Sequence, residues 1–155
     1  MNTPYITGAV VEAAVGLILT EGEGRTNAMT ISFFSEAAHW PTTMWVSIAK
    51  SSYTHHLMTT SGRFSVVMLY DKQHELAESC GTVSGRYHDK TRTLGLDRTE
   101  TGDLFLPDSL ASVICRVRRT CDLNDHTLVI GDILGGWLNS QHVGRRHLLL
   151  SDLDA

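Results

Sequence analysis

The sequence is short of the groups from which common reactive centres are built. Its three cysteines, Cys80, Cys115 and Cys121, contain no C-x-x-C pair. An odd count without a secretory signal points to reduced, mostly buried thiols and not to a disulfide frame. Cys115 alternates with Val113 and Val117, as a core strand residue does, and Cys121 is expected on the same face. No apolar run approaches the roughly 20 residues of a membrane-spanning helix. No block of like charges marks a membrane-surface patch. The formal net charge of −4 lacks the basic face that general nucleic-acid binding requires. Met1-Asn2-Thr3-Pro4 has neither the basic region nor the apolar core of a signal peptide. A cytoplasmic protein with no membrane or nucleic-acid partner is expected.

Familiar catalytic signatures are missing as well. There is no G-x-G-x-x-G for a dinucleotide fold and no G-x-S-x-G nucleophile elbow. The scattered Asp and Glu residues offer no recognisable carboxylate pair. Eight histidines invite a metal, but His55 and His56 are adjacent and would diverge by about 100° on a helix. His142 and His147 stand five apart, and no H-E-x-x-H or Cys/His set occurs. No metal site is expected.

What remains is an ordinary globular composition: 155 residues, 42% hydrophobic and 19% charged, enough for one domain over residues 1–155 with a proper core. Gly8 to Thr20 reads as one strand or two. Glu21-Gly22-Glu23-Gly24 is a turn, and Thr26 to Phe34 completes a hairpin. Glu36 to Thr43 reads as a connection. Met44 to Ala49 is the clearest strand, with Met44, Val46 and Ile48 on one face. Tyr53 to Thr60 predicts a short helix ending at Ser61-Gly62, and Arg63 to Tyr70 a further strand. Asp71 is expected to cap a second helix that carries Leu76 and Cys80 and stops at Gly81. Ser84 to Asp103 is poorly patterned, as site-bearing loops often are. Asp108 to Thr120 and Thr127 to Leu134 predict two strands joined by the Asp122–Asp125 turn, and His147 to Leu150 a last short one. Strands in hairpin succession with two short helices predict an all-β fold. A closed or nearly closed antiparallel barrel removes its exposed edges.

Four places carry candidate chemistry. Ala49-Lys50-Ser51-Ser52-Tyr53-Thr54 places hydroxyls, a lysine and unpaired first-turn N–H groups where a strand yields to a helix, as an anion site needs. A plain capped helix is the commoner meaning of such a stretch taken alone. Asn27-Ala28-Met29-Thr30 follows a glycine turn. Its small residues admit a planar ligand, and Asn27 offers a donor and an acceptor to a ring edge. Lys90 lies in a basic loop, Ser84 to Lys90, of an acidic protein. Asp125-His126-Thr127 opens a strand, from which His126 would face a cavity mouth. Each has a bland alternative as a strand entry, solvated loop or turn.

Taken together, the segments Asn27 to Phe33, Val46 to Thr54, Ser61 to Phe64, Cys80-Gly81 with Ser84-Gly85 and Asp89-Lys90, Cys115 to Val117, and Asp125 to Gly131 resemble the flavin reductase-like, FMN-binding split-barrel family. No segment is specific alone; their order and spacing carry the resemblance. It implies an antiparallel split β-barrel of Greek-key type, dimerised with itself, with FMN near the dimer interface. It implies that Lys50, Ser51, Ser52 and Thr54, beside Ala49, hold the FMN phosphate and that Lys90 adds charge. Asn27 to Thr30 would lie along the isoalloxazine edge with Phe33 beside the ring, and His126 would stand near the flavin or the nicotinamide and act in catalysis. The implied activity is hydride transfer from NAD(P)H to flavin, with a downstream oxygenase or other electron acceptor. The alternatives are an FMN-holding electron carrier without a nicotinamide site, and a barrel that has lost flavin and serves as an interaction module. Asn124-Asp125-His126 replaces the family's usual Gly-Asp-His, Lys50 stands where proline is frequent, and the glycine-rich tail is not recognisable. The departures fall on the nicotinamide side more than on the phosphate side.

Overall fold

The computed structural model describes residues 11–153, so the expected strand start at Gly8 lies outside the described residues. In chain order the elements are β1 (Gly16–Gly22), β2 (Arg25–Ile31), β3 (Phe34–His39), β4 (Thr42–Ala49), α1 (Tyr53–Ser61), β5 (Arg63–Met68), α2 (His74–Thr82), β6 (Asp97–Arg98), β7 (Leu104–Phe105), β8 (Ala111–Leu123) and β9 (His126–Leu138). Seven strands form one antiparallel sheet in the order β2-β1-β5-β8-β9-β4-β3, and β6 pairs with β7 apart from it.

The strand order itself requires a barrel. β2 and β3 are the two edges of the sheet, yet only Ser32 and Phe33 separate them in the chain. Laid flat, strands six steps apart would stand about 29 Å from each other. Three residue steps reach at most about 11 Å. The sheet must therefore curl until its edges meet at Ser32-Phe33. The expected antiparallel split barrel is the fold observed.

Two apolar layers hold it together. Ile18, Val66, Phe64, Met44, Val46 and Ile48 fill one cluster. Leu17, Leu19, Val67 and Leu69 face the other way, into a second cluster under α2 with Ala77 and Cys80. Successive residues of β1 and β5 thus enter opposite cores. A strand buried on both faces shows a continuous apolar run, not an alternation, which is why β1 was hard to delimit from sequence.

Gly16 sits at the start of β1 against β5. A Cβ there would stand 2.3 Å from the Val67 carbonyl oxygen, a backbone atom that cannot swing aside. Gly16→Ala should cost about 1–3 kcal/mol, the usual penalty of forced overpacking, read as a lower urea midpoint with an unchanged slope.

Several expectations need correction. Glu36 to Thr43 is not a connection: β3 occupies Phe34–His39 and turns into β4 through the Trp40-Pro41 step, a cis peptide bond. Five of its six residues are exposed, so no buried face imprints a period of two. β1 extends to Gly22, leaving a tight turn at Glu23-Gly24 with φ of 55° and 71°, the two positive values of a type I′ hairpin. Gln73, not Asp71, precedes α2, which runs through Gly81 to Thr82. Cys115 is buried, and burial pushes its thiol up to about 12. Cys121 is exposed, because the register of β8 against β9 shifts between Val117 and Arg119 and the strand's outer half leaves the core. His147 to Leu150 makes isolated bridges and a 3-10 turn instead of a strand.

Candidate functional site

β4 delivers the chain to the start of α1. Ser52 caps the helix: its Oγ accepts from the His55 N–H at 3.1 Å and donates to the Ala49 carbonyl at 2.8 Å. That hydroxyl is thereby committed to the fold. The N–H groups of Tyr53 and Thr54, in the first turn, have no carbonyl to reach within the helix. Both residues line a cleft of about 260 Å³, together with Asn27 and Met29 of β2, Ser51 and Ser52, and the loop after α2 with Gly85 and Lys90. Six sequence-predicted site residues, Asn27, Met29, Ser51, Ser52, Thr54 and Lys90, thus come together across 63 positions of the chain.

The floor of this cleft is a buried polar pair. Asn27 is 2% exposed and Thr54 0%, and Asn27 Nδ2 donates to Thr54 Oγ1 at 3.0 Å. The other end of the amide, Asn27 Oδ1, is buried with no hydrogen-bond partner. Such an orphan acceptor costs about 1–3 kcal/mol, so its retention points to a donor supplied from outside the chain. Gly85 closes over it, with so little space that a Cβ at Gly85 would lie 1.8 Å from Asn27 Oδ1.

Lys90 is the cation of the cleft. It is half-buried, donates to the Cys80 carbonyl at 2.9 Å and has no carboxylate partner among the described residues. Burial pushes its ammonium below the ordinary lysine range. A desolvated, unpaired cation is costly unless an anion joins it.

The remaining predicted residues lie elsewhere. Lys50 turns away and forms an ion pair with Asp122, whose carboxyl that hydrogen bond holds below its usual range. Ala28 is buried in the core under α2. Thr30 donates its hydroxyl to the Ala77 carbonyl and fixes α2 to β2. Ala49 pairs across the sheet with His126. The His126 ring lies 5.8 Å from that of Phe33, which is 53% exposed. These two form a separate aromatic lip where the barrel edges meet. His126 Nδ1–H donates to Asp125 Oδ1 at 3.0 Å, and that bond holds the Asp125 carboxyl below its usual range. Next to them, His55 lies 2.8 Å from the Thr127 hydroxyl, and burial first, then Lys50 and His56, favours its neutral form.

Three residues beside the cleft lie in segments that the sequence singles out but are given no site role there. Tyr53 is 7% exposed, and its ring is flanked by the guanidinium groups of Arg25 at 5.0 Å and Arg86 at 5.5 Å. Arg25 also donates to the carbonyls of Gly85 and Arg86 at 3.0 and 3.3 Å, tying the loop to β2. A tyrosine at the first helical position was the available signal, but nothing local tells which distant cations will stack on it. Among the described residues, no three His, Cys, Asp or Glu side chains gather as a metal-ligating set.

The family described as "Flavin reductase like domain" matches residues 8–152. The chain belongs to the flavin reductase-like family. It is 31% identical over 128 residues to the NADH-dependent flavin reductase StyB of Pseudomonas fluorescens, covering 81% of this chain and 72% of that one. It is 30% identical over 130 residues to the FMN reductase (NADH) SmoA of Agrobacterium fabrum, covering 84% and 69%. The solved structure of the NADH:FAD oxidoreductase SgcE6 of Streptomyces globisporus has the same fold, with a TM-score of 0.86 at 19% identity, covering 97% of this chain and 88% of that one.

A flavin reductase-like chain has to accommodate a flavin, and the cleft residues fit one chemically. Lys90 and the two free N–H groups suit a phosphate. The orphaned Asn27 Oδ1 lacks the kind of N–H or O–H donor that a flavin nucleotide carries on its ring and ribityl chain.

Proposed function

We propose that this chain is a flavin reductase that binds FMN and oxidises NADH or NADPH, with residues 1–155 acting as one domain. The conjunction in one cleft of Lys90 without a carboxylate, the bare start of α1 and the unpaired Asn27 Oδ1 carries this reading. In it Lys90, Ser51 and the Tyr53 and Thr54 N–H groups hold the phosphate, and Asn27 takes a donor from the flavin. Bound flavin supplies the hydride-accepting chemistry. The chain's own work is placement: β2 offers a flat flank through Met29, and Phe33 and His126 border the reacting side.

The cleft, at about 260 Å³, falls short of the roughly 300–1,000 Å³ that encloses a drug-sized ligand. It takes one end of the nucleotide and leaves the ring in the open, along β2 toward Phe33. In this reading the chain is a homodimer, and the second subunit covers the ring. The electrons then pass to an oxygenase component or another acceptor, in the cytoplasm. No described helix is long and apolar enough to cross a membrane.

The test is the visible spectrum of the purified protein with FMN, followed by NADH or NADPH without air. Bleaching of the flavin bands by one nucleotide supports the reductase and names its donor. Bound flavin that bleaches only with dithionite supports the electron carrier instead, the reading favoured by the Asn124 departure before His126. His126→Ala should slow NADH oxidation about tenfold or more, in keeping with a polar group beside the reacting face, and change the FMN Kd less than threefold. A large loss of FMN affinity at an unchanged rate would remove His126 from this role.

A further inference from the structure

The charge around the cleft exceeds what one phosphate needs. The chain has 13 Lys and Arg residues. Seven of them pair with carboxylates. Of the six without such a partner among the described residues, Lys90 lines this cleft, and Arg25 and Arg86 lie against Tyr53, a residue of its wall, in a chain of net charge −4. A phosphate monoester carries about −1.5 to −2 at neutral pH. Lys90 and the start of α1, with about half a positive charge, nearly match it. Arg25 and Arg86 remain.

Their geometry is prepared for a ligand. Both guanidinium groups lie over the Tyr53 ring, at 5.0 and 5.5 Å from its centre. Arg25 spends only Nη2, on the Gly85 and Arg86 carbonyls. The Arg86 side chain is exposed and has no hydrogen bond among the described residues, so its five donors face solvent. Of the nearby acids, Asp89 is bound by the Thr91 hydroxyl, lies 3.9 Å from Arg92 and is shared between Arg92 and Arg25, both of which favour its charged form. Glu23 lies 3.0 Å from His56.

We propose that Arg25, Arg86 and Tyr53 form a second anion subsite on the rim of the cleft, which takes the diphosphate of an adenine dinucleotide. The proposal rests on the flavin reading above and adds a specificity to it. Two ligands carry this group: FAD, entering with its first phosphate at Lys90, and the nicotinamide dinucleotide. Forked Arg donors suit the bridged phosphates better than point charges do.

The test uses the full-length protein, with Kd values for FMN and FAD from quenching of flavin fluorescence, Kd for ADP by calorimetry, and steady-state KM for NADH. Arg86→Ala is the first variant, because its side chain makes no hydrogen bond among the described residues and its one stacking partner, Tyr53, keeps Arg25. Arg25→Ala/Arg86→Ala is the second, with melting temperature as the control for folding. If FAD is the source, Arg86→Ala should raise its Kd tenfold or more, leave the FMN Kd within threefold and abolish ADP competition with FAD. If the nicotinamide dinucleotide is the source, FAD and FMN affinities hold and KM for NADH rises tenfold with kcat unchanged. Equal losses for FMN and FAD would place Arg86 in the single phosphate site and overturn the proposal. So would unchanged values throughout. Wild-type protein that binds ADP through Arg86 but neither flavin would fell the flavin reading and leave the diphosphate subsite standing.

Discussion

Thr54→Ala combined with Lys90→Ala should weaken FMN binding about 100-fold or more. A hydrogen bond to a charged group contributes about 1.5–3 kcal/mol, and a neutral one about 1. Each 1.4 kcal/mol is a factor of ten in Kd. Lys90 is the cation of the cleft without a carboxylate partner. Thr54 acts twice, through its place in the first turn of α1 and through the hydroxyl that holds Asn27 at 3.0 Å. Fluorescence quenching of FMN measures the loss. Lys50→Ala is the matched control. It removes a lysine four residues from Thr54, but one already paired with Asp122, so the FMN Kd should move less than threefold. If Lys50→Ala is the damaging change and the double variant is not, the phosphate lies on the other side of the strand end. A pH titration gives the same contrast with a definite sign. Burial lowers the pKa of Lys90, and a phosphate prefers the protonated amine. FMN affinity should therefore fall as pH rises, beginning below the ordinary lysine range near 10.4, and the Lys90→Ala variant should lose that alkaline step.

The contrast between these two lysines shows what was legible in the sequence. The Lys50-to-Thr54 stretch was readable as a strand end passing into a helix start, and Ser52 does cap that helix. Which lysine serves the cleft was not readable, since a side chain's direction at a turn is set by what lies opposite. For Lys50 that is Asp122, 72 positions away on the β8–β9 hairpin. Asn27 was legible as a bifunctional amide but not as a buried one, because its partners, Thr54 and Gly85, meet it only after the barrel closes. Strands with one buried face, such as β4, were read to within about two residues. β5, expected over Arg63 to Tyr70 and found over Arg63–Met68, was read equally well, whereas β1, buried on both faces, and β3, exposed on nearly all of its length, lack the alternation from which boundaries are drawn. Arg25 and Arg86 could not be joined to Tyr53 at all, since stacking across 28 and 33 positions leaves no local trace.

Gly85→Ala should cost flavin affinity tenfold or more, although it adds a single methyl group. The backbone of Gly85 lies outside the left-handed region, so the effect comes from space alone. The new Cβ would stand 1.8 Å from Asn27 Oδ1 and 2.6 Å from its Cγ. Either the amide turns or the loop lifts. A turned amide breaks the bond to Thr54 and leaves buried polar atoms unpaired, at about 1–3 kcal/mol. A lifted loop breaks the two bonds that Arg25 makes to the Gly85 and Arg86 carbonyls and carries Lys90 with it. Both routes disperse the cleft while the barrel stays intact, so the melting temperature should drop only by about 2–8 °C. The cause can be isolated by a double-mutant cycle. Removing the amide removes the clash, so Asn27→Ala/Gly85→Ala should bind FMN no more weakly than Asn27→Ala alone. Strictly additive losses would mean that Gly85 acts through something other than Asn27. The flexibility of the loop would then be the property on which flavin binding depends.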